Sequence, residues 1–382
     1  MLKLHSNKNV IATTDSGNSI RLARVTKDTN LPTVLRKGKA LIVSSVNGND
    51  YLGYDLVFSK DSQDIGHKNV QYLEPELHYL DNDDVIRVDT DRNSVRAIYR
   101  VNATANFLFV TEQCNSYCLM CSQPPRDIND SHLIKELIQA VPLIPKYARE
   151  IGITGGEPTL MGQDFLVLLR TLRSHLPNSS LHVLTNGRTF ADFDLARSVA
   201  SIKHADLMFG IPLYSDAPHL HDFVVQADGA FDQTIRGILN LKRNLQKVEI
   251  RVVLHKQTVE RLPQLAEYIG RNLQFVDHVA LMGLEITGFT RANLDALWID
   301  PIEYQDQLEQ AVDILGRYRI RTSIYNLQRC LLPIKLWDFS VKSISDWKNK
   351  YYDECESCSQ RENCGGFFAS SDIKRSEFIK AL

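Results

Sequence analysis

The chain has 382 residues, 43% of them apolar and 24% charged, enough for two or three domains with sizeable cores. A formal charge of −2 argues against a protein that coats nucleic acid electrostatically. The start, Met1-Leu2-Lys3-Leu4-His5-Ser6, has no apolar h-region and no apolar run reaches membrane-spanning length, so the expectation is a cytoplasmic protein without a membrane partner.

Residues 1–103 read as a small β-rich domain. Short strands are expected at 40–45, 55–58, 84–88 and 95–101, separated by turns at 47–50, 59–62 and 91–93. Such a domain either caps the rest of the chain or grips a peptide by adding it to a sheet edge. From 104 to 300, strand-like runs at 107–111, 150–154, 181–185, 206–213, 248–254 and 278–284 alternate with helix-length stretches at 131–141, 163–175, 192–202, 231–245 and 262–273. That alternation predicts an α/β fold of parallel β/α units with right-handed crossovers. Six units are too few for a closed eightfold barrel, so a partial (β/α)6 TIM-like barrel is expected, with its chemistry at the C-terminal ends of the strands.

Those strand ends carry the chemistry-bearing residues. Cys114, Cys118 and Cys121 follow the first strand with C-x3-C-x2-C spacing. Three thiolates on one loop suit a cubane 4Fe–4S cluster with one iron left open to a small ligand. A zinc site or three idle thiols are the other readings. The second strand runs into Gly155-Gly156-Glu157-Pro158. Glycines there let a ligand approach the backbone without a Cβ in the way, and Glu157 adds negative charge. A plain strand-to-helix turn is the alternative.

Thr185-Asn186-Gly187 closes the third strand as a turn. Tyr214-Ser215-Asp216 ends the fourth, with His221-Asp222 and Gly229-Ala230-Phe231 downstream. Ser215 and Asp216 are candidates for ligand contact or for helix capping. Arg251 and His255, near the fifth strand, face either the pocket or the core and surface. Gly288, after the sixth, either admits a ligand closely or is a loop glycine.

Residues 301–382 contain the other four cysteines, Cys330, Cys355, Cys358 and Cys364. Four thiols complete one fully ligated 4Fe–4S cluster or one tetrahedral zinc site. Zinc ribbons usually show two C-x2-C pairs, whereas this segment has a lone cysteine and then C-x2-C-x5-C. Closely spaced cysteines without a secretion signal suit metal ligation better than disulfides.

Together, the cysteine loop and the Gly-Gly-Glu-Pro run resemble the radical S-adenosylmethionine (SAM) superfamily. There the first motif holds the cluster and the second contacts the methionine end of SAM. The C-terminal segment resembles the SPASM and twitch extensions of peptide-modifying members, which implies one auxiliary 4Fe–4S cluster. The stretch Met120-Cys121-Ser122-Gln123-Pro124-Pro125 is similar to that of His-Xaa-Ser system radical SAM maturases (HxsC-like). The resemblance implies SAM contacts by Met120, Gly155, Gly156, Glu157, Pro158, Asn186, Ser215 and Asp216. It implies a 5′-deoxyadenosyl radical that abstracts hydrogen from a peptide or small protein, an electron donor of flavodoxin or ferredoxin type, and a second radical SAM maturase as partner. Relatives often carry an arginine shortly after His-Asp, where this chain has Phe223-Val224-Val225. A nucleoside or RNA substrate, and a non-catalytic iron–sulfur scaffold, stay open as alternatives.

Overall fold

The computed structural model describes residues 4–7, 19–46, 51–64, 70–342 and 350–382; the turn expected at 47–50 lies outside them. The N-terminal strands are β1 (His5–Ser6), β2 (Ile20–Thr26), β3 (Lys39–Val43), β4 (Leu56–Ser59), β5 (Val70–Tyr72), β6 (Val85–Asp89) and β7 (Ser94–Tyr99). They form a seven-stranded sheet of order β1-β7-β6-β2-β3-β4-β5. Pairing is antiparallel from β1 through β2 and parallel from β2 through β5. Period-two alternation is visible in β7, where Val95, Ala97 and Tyr99 are buried and Arg96 is exposed.

The remaining strands are β8 (Asn106–Phe109), β9 (Glu150–Thr154), β10 (Ser180–Leu184), β11 (Leu207–Pro212), β12 (Lys247–Leu254), β13 (His278–Gly283), β14 (Thr322–Tyr325) and β15 (Ser340–Val341). All eight pair in parallel in the order of the chain, and the end strands β8 and β15 do not meet, so the barrel is open. The helices are α1 (His132–Ala140), α2 (Gly162–His175), α3 (Phe193–Ala200), α4 (Pro218–Val225), α5 (Ala230–Arg243), α6 (Leu262–Asn272), α7 (Phe289–Ala292), α8 (Leu294–Leu297) and α9 (Gln305–Arg317). The parallel sheet therefore runs two strands beyond the six units expected. Both lie in the 301–382 segment, which is read for its cysteines and not for strands, and they have four and two residues. None of the described helices is long and apolar enough to cross a membrane.

Alternation along β12 sorts the barrel into two faces. Val248, Ile250, Val252 and Leu254 join the core beneath the helices, and Glu249, Arg251 and Val253 point the other way. On the inner face, Glu249 accepts from Arg251 at 2.6 Å and bonds His278 at 2.7 Å, while His278 reaches Ser323 at 2.9 Å. Burial works against the Glu249 charge, but the His278 bond and the Arg251 cation bring its pKa down to about 2. Arg251 thus belongs to a buried polar network in the barrel. The two sheets are tied by Arg87 of β6, whose guanidinium meets Glu136 of α1 at 2.6 Å.

Candidate active site

The cysteine loop leaves the C-terminal end of β8 and is pinned at its base by Asp130. Its carboxylate accepts from Thr111 Oγ1 at 2.9 Å, from the Glu112 N–H at 2.5 Å and from Gln113 Nε2 at 3.2 Å. Backbone bonds then fix the rest. The N–H groups of Tyr117 and Leu119 donate to Val225 and Val224 of α4, and the Phe289 N–H donates to the Cys121 carbonyl. Thr290 and Asn293 hold the Met120 and Leu119 carbonyls from the far side of the barrel. Gly288 has a φ of +53°, and a Cβ on it would stand 2.2 Å from the Cys121 oxygen. That glycine is required by the cysteine loop itself.

The Gly-Gly-Glu-Pro run packs directly on this loop. The Gly156 and Glu157 N–H groups donate to Thr111 O and Gln113 O, both at 2.7 Å. A Cβ on Gly155 would lie 2.5 Å from Thr111 O, and one on Gly156 would lie 2.1 Å from Gln113 O. Chain-to-chain contact thus demands both glycines. Glu157 is fully buried, and Pro158 is buried beside it. The Glu157 carboxylate receives Thr159 N at 3.0 Å, Thr185 Oγ1 at 2.7 Å and Asn186 N at 2.6 Å. Burial pushes its pKa up, while these donors work in the other direction.

Asn186 completes the link between the three strand ends. Its Nδ2 donates to Asn115 Oδ1 at 2.6 Å and lies 3.9 Å from Cys114 Sγ. Arg188, one residue beyond Gly187, donates to the Asn115 carbonyl and to Ser116 Oγ at 3.0 Å. Neither Asp130 nor Arg188 stood out in the sequence. Both act through a loop whose shape only the fold reveals.

The other candidates divide. Met120 is buried in an apolar cluster with Tyr214, Val224, Val225, Ala230 and Leu297, against which Cys118 packs. Ser215 Oγ accepts from the Ala217 N–H at 3.1 Å at the start of α4, and Asp216 forms a two-point pair with Arg261 at 2.6 and 3.0 Å. Both side chains are engaged there rather than with the cysteine loop. Asp222 receives the N–H groups of Gly229 and Phe231, each at 2.7 Å, which gives the His-Asp and Gly-x-Phe segments a structural role.

Burial raises all three thiols of the loop. Cys114 rises to about 11, with Glu157 adding to the effect, and Cys118 rises to about 12, with Cys121 and Cys114 adding to it. Enclosed in this way the three side chains are neutral thiols at ordinary pH, and a cationic centre among them is what would make them thiolates. The four C-terminal cysteines, Cys330, Cys355, Cys358 and Cys364, line one small pocket together with Tyr351 and Phe367. Its walls are joined by Gln328 Nε2 donating to Gly366 O at 2.7 Å and by Tyr351 OH donating to Cys364 O at 3.1 Å. Among the described residues no three of His, Cys, Asp and Glu draw close enough for one metal ion. The fit of a multinuclear group therefore rests on thiols sharing one loop or one pocket.

Residues 108–269 match the family model described as "Radical SAM superfamily". No curated protein matches the chain. Among solved structures, native anSMEcpe with bound AdoMet is similar at 14% identity and a TM-score of 0.51, covering 72% of this chain and 92% of that one. Streptococcus suis SuiB bound to S-adenosylmethionine is similar at 18% identity and a TM-score of 0.46, with 58% of this chain covered, and the chain spans about half of SuiB (50%). Coproporphyrinogen III oxidase (HemN) from Escherichia coli gives 14% identity and a TM-score of 0.44, covering 56% of this chain and 52% of that one. The family model supports the radical SAM superfamily for this chain, and the likeness to anSMEcpe supports the fold.

Proposed function

We propose that this chain is a radical SAM enzyme that modifies a peptide or small protein, of the His-Xaa-Ser repeat class. The observation that carries the reading is the meeting of the C-x3-C-x2-C loop with the Gly-Gly-Glu-Pro and Thr-Asn-Gly turns at the C-terminal ends of β8, β9 and β10. Cys114, Cys118 and Cys121 hold the 4Fe–4S cluster, and Cys330, Cys355, Cys358 and Cys364 hold an auxiliary one. When bound, the first cluster supplies the electron for reductive cleavage of SAM to a hydrogen-abstracting 5′-deoxyadenosyl radical. Met120 packs against the adenosine, and the turns carrying Gly155, Gly156 and Asn186 position the methionine end. The apolar packing of Met120, Tyr214 and Leu297 keeps water from the reacting atoms.

The peptide substrate class is what the resemblance of the Met-Cys-Ser-Gln-Pro-Pro stretch and of the cysteine-rich extension implies. A one-electron donor of flavodoxin or ferredoxin type and a second maturase complete the set of partners. The test is 5′-deoxyadenosine formation from SAM by anaerobically reconstituted protein under strong reductant. Product is expected from the wild type and not from the Cys114/Cys118/Cys121→Ala variant. A wild type that holds its full iron and still makes none overturns the enzyme reading.

A further inference from the structure

We infer that Asn186 and Arg188 form an outer layer around the Cys114–Cys118 span, fixing it in its ligating conformation and raising the reduction potential of the cluster it holds. The inference deepens the radical SAM reading and rests on it.

The turn that carries the two residues is held from four sides. Gly187 takes a φ of +78°, a left-handed value that suits glycine, and a Cβ there would stand 2.9 Å from Ile211. The Asn186 N–H is tied to Glu157 at 2.6 Å, and its carbonyl receives Thr234 Oγ1 of α5 at 3.2 Å. Asn186 Oδ1 accepts from the Arg188 N–H at 3.0 Å. That bond leaves Nδ2 as the end of the amide facing Asn115 Oδ1 and Cys114 Sγ. An N–H aimed at a ligating sulfur disperses the negative charge that reduction adds, so it raises the potential.

Arg188 acts on the same span from its other end. Its Nε donates to Gln233 Oε1 of α5 at 2.8 Å, which anchors the guanidinium to a rigid helix. Its Nη1 then bonds the Asn115 carbonyl and Ser116 Oγ, the two residues that follow Cys114. Among the described residues its hydrogen-bond partners are all neutral. A cation hydrogen-bonded only to neutral groups and fixed on the Cys114–Cys118 span favours the more negative, reduced state of whatever that span binds. A lysine in its place would keep the charge and lose the planar fork.

The experiment is an EPR-monitored redox titration of the anaerobically reconstituted full chain, following the cluster whose signal shifts when SAM is added. Iron and sulfide per chain are measured alongside. Arg188→Gln and Asn186→Ala are each expected to lower the reduction equilibrium constant between three- and tenfold, a tenfold drop being about 59 mV for one electron. Arg188→Lys is expected to keep most of the potential while loading less iron. Loss of this cluster's iron from Arg188→Gln, with Arg188→Lys less affected, supports the fixing role. An unchanged midpoint in both Arg188→Gln and Asn186→Ala, with full iron, overturns the inference and leaves the radical SAM reading standing. A wild type that binds no SAM-responsive cluster removes that reading instead.

Discussion

The Glu157 carboxylate accepts the backbone N–H of Asn186 at 2.6 Å, so the motif that ends β9 is bonded to the turn that ends β10. The same carboxylate gathers Thr159 and Thr185, and the whole group is sealed from water. Glu157→Gln would turn one acceptor oxygen into an amide that faces donors. One buried donor then loses its partner, at a cost of about 1–3 kcal/mol. The melting temperature is expected to fall by several degrees, at about 2–4 °C per kcal/mol for a barrel of this size. Because Asn186 is the next link, iron at the cysteine loop should fall in step. A variant that melts as the wild type does would show that the motif is not held this way.

Gly156 makes a sharper case, because the atom it must avoid is backbone. Gly156→Ala places a Cβ 2.1 Å from the Gln113 carbonyl oxygen, and neither chain can yield without breaking the Glu157–Gln113 hydrogen bond. The expected result is loss of iron from the cysteine loop, with the C-terminal pocket unaffected. Gly316→Ala is the control. It lies in α9 with nothing within 4 Å of the added methyl, and should be neutral or stabilising by up to about 1 kcal/mol. Iron per chain and thermal unfolding of both variants distinguish the two cases.

Much of this arrangement was legible in the sequence where local pattern and tertiary environment agree. β9 has the bounds its apolar run predicts, and α6 begins where its amphipathic period begins. Other elements were not legible. β2, Ile-Arg-Leu-Ala-Arg-Val-Thr, carries two arginines that mask its alternation, and β14 and β15 become strands only through the neighbours they pair with. In the site, cysteine spacing revealed the ligands, but not Asp130 or Arg188, whose contacts join positions 17 to 73 residues apart. Gly155 and Gly156 were read for ligand access, and their close approach to the cysteine loop is a further demand that the sequence did not reveal.

Removing the C-terminal site is expected to separate two pools of iron. Cys355 and Cys358 face one pocket with Cys330 and Cys364, far along the chain from the loop after β8. A Cys355→Ser/Cys358→Ser variant should lose about half of its iron and sulfide, with its SAM-responsive EPR signal retained. If zinc occupies this pocket instead, iron will be unchanged and zinc will fall. Retention of both metals would remove the pocket as a metal site.

The buried histidines set how the fold responds to acid. His221 bonds the Tyr214 N–H through Nδ1 at 3.2 Å, and burial brings its pKa down to about 4. His255 is fully enclosed, with no hydrogen-bond partner at either ring nitrogen among the described residues, and burial brings it down to about 4 as well. In the unfolded chain both take a proton near pH 6.5, whereas the folded chain refuses it until about pH 4. Between those limits the unfolded state binds more protons, so stability rises with pH and is lost as pH falls from 6.5 towards 4. Taking 1.36 kcal/mol per pKa unit, each histidine should withdraw about 2 kcal/mol between pH 7.5 and pH 5. Burial lowers His182 and His204 as well, so thermal unfolding at the two pH values measures a summed loss, which His255→Asn should reduce by about 2 kcal/mol. An acid shift of equal size in wild type and variant would show that His255 takes up its proton without unfolding.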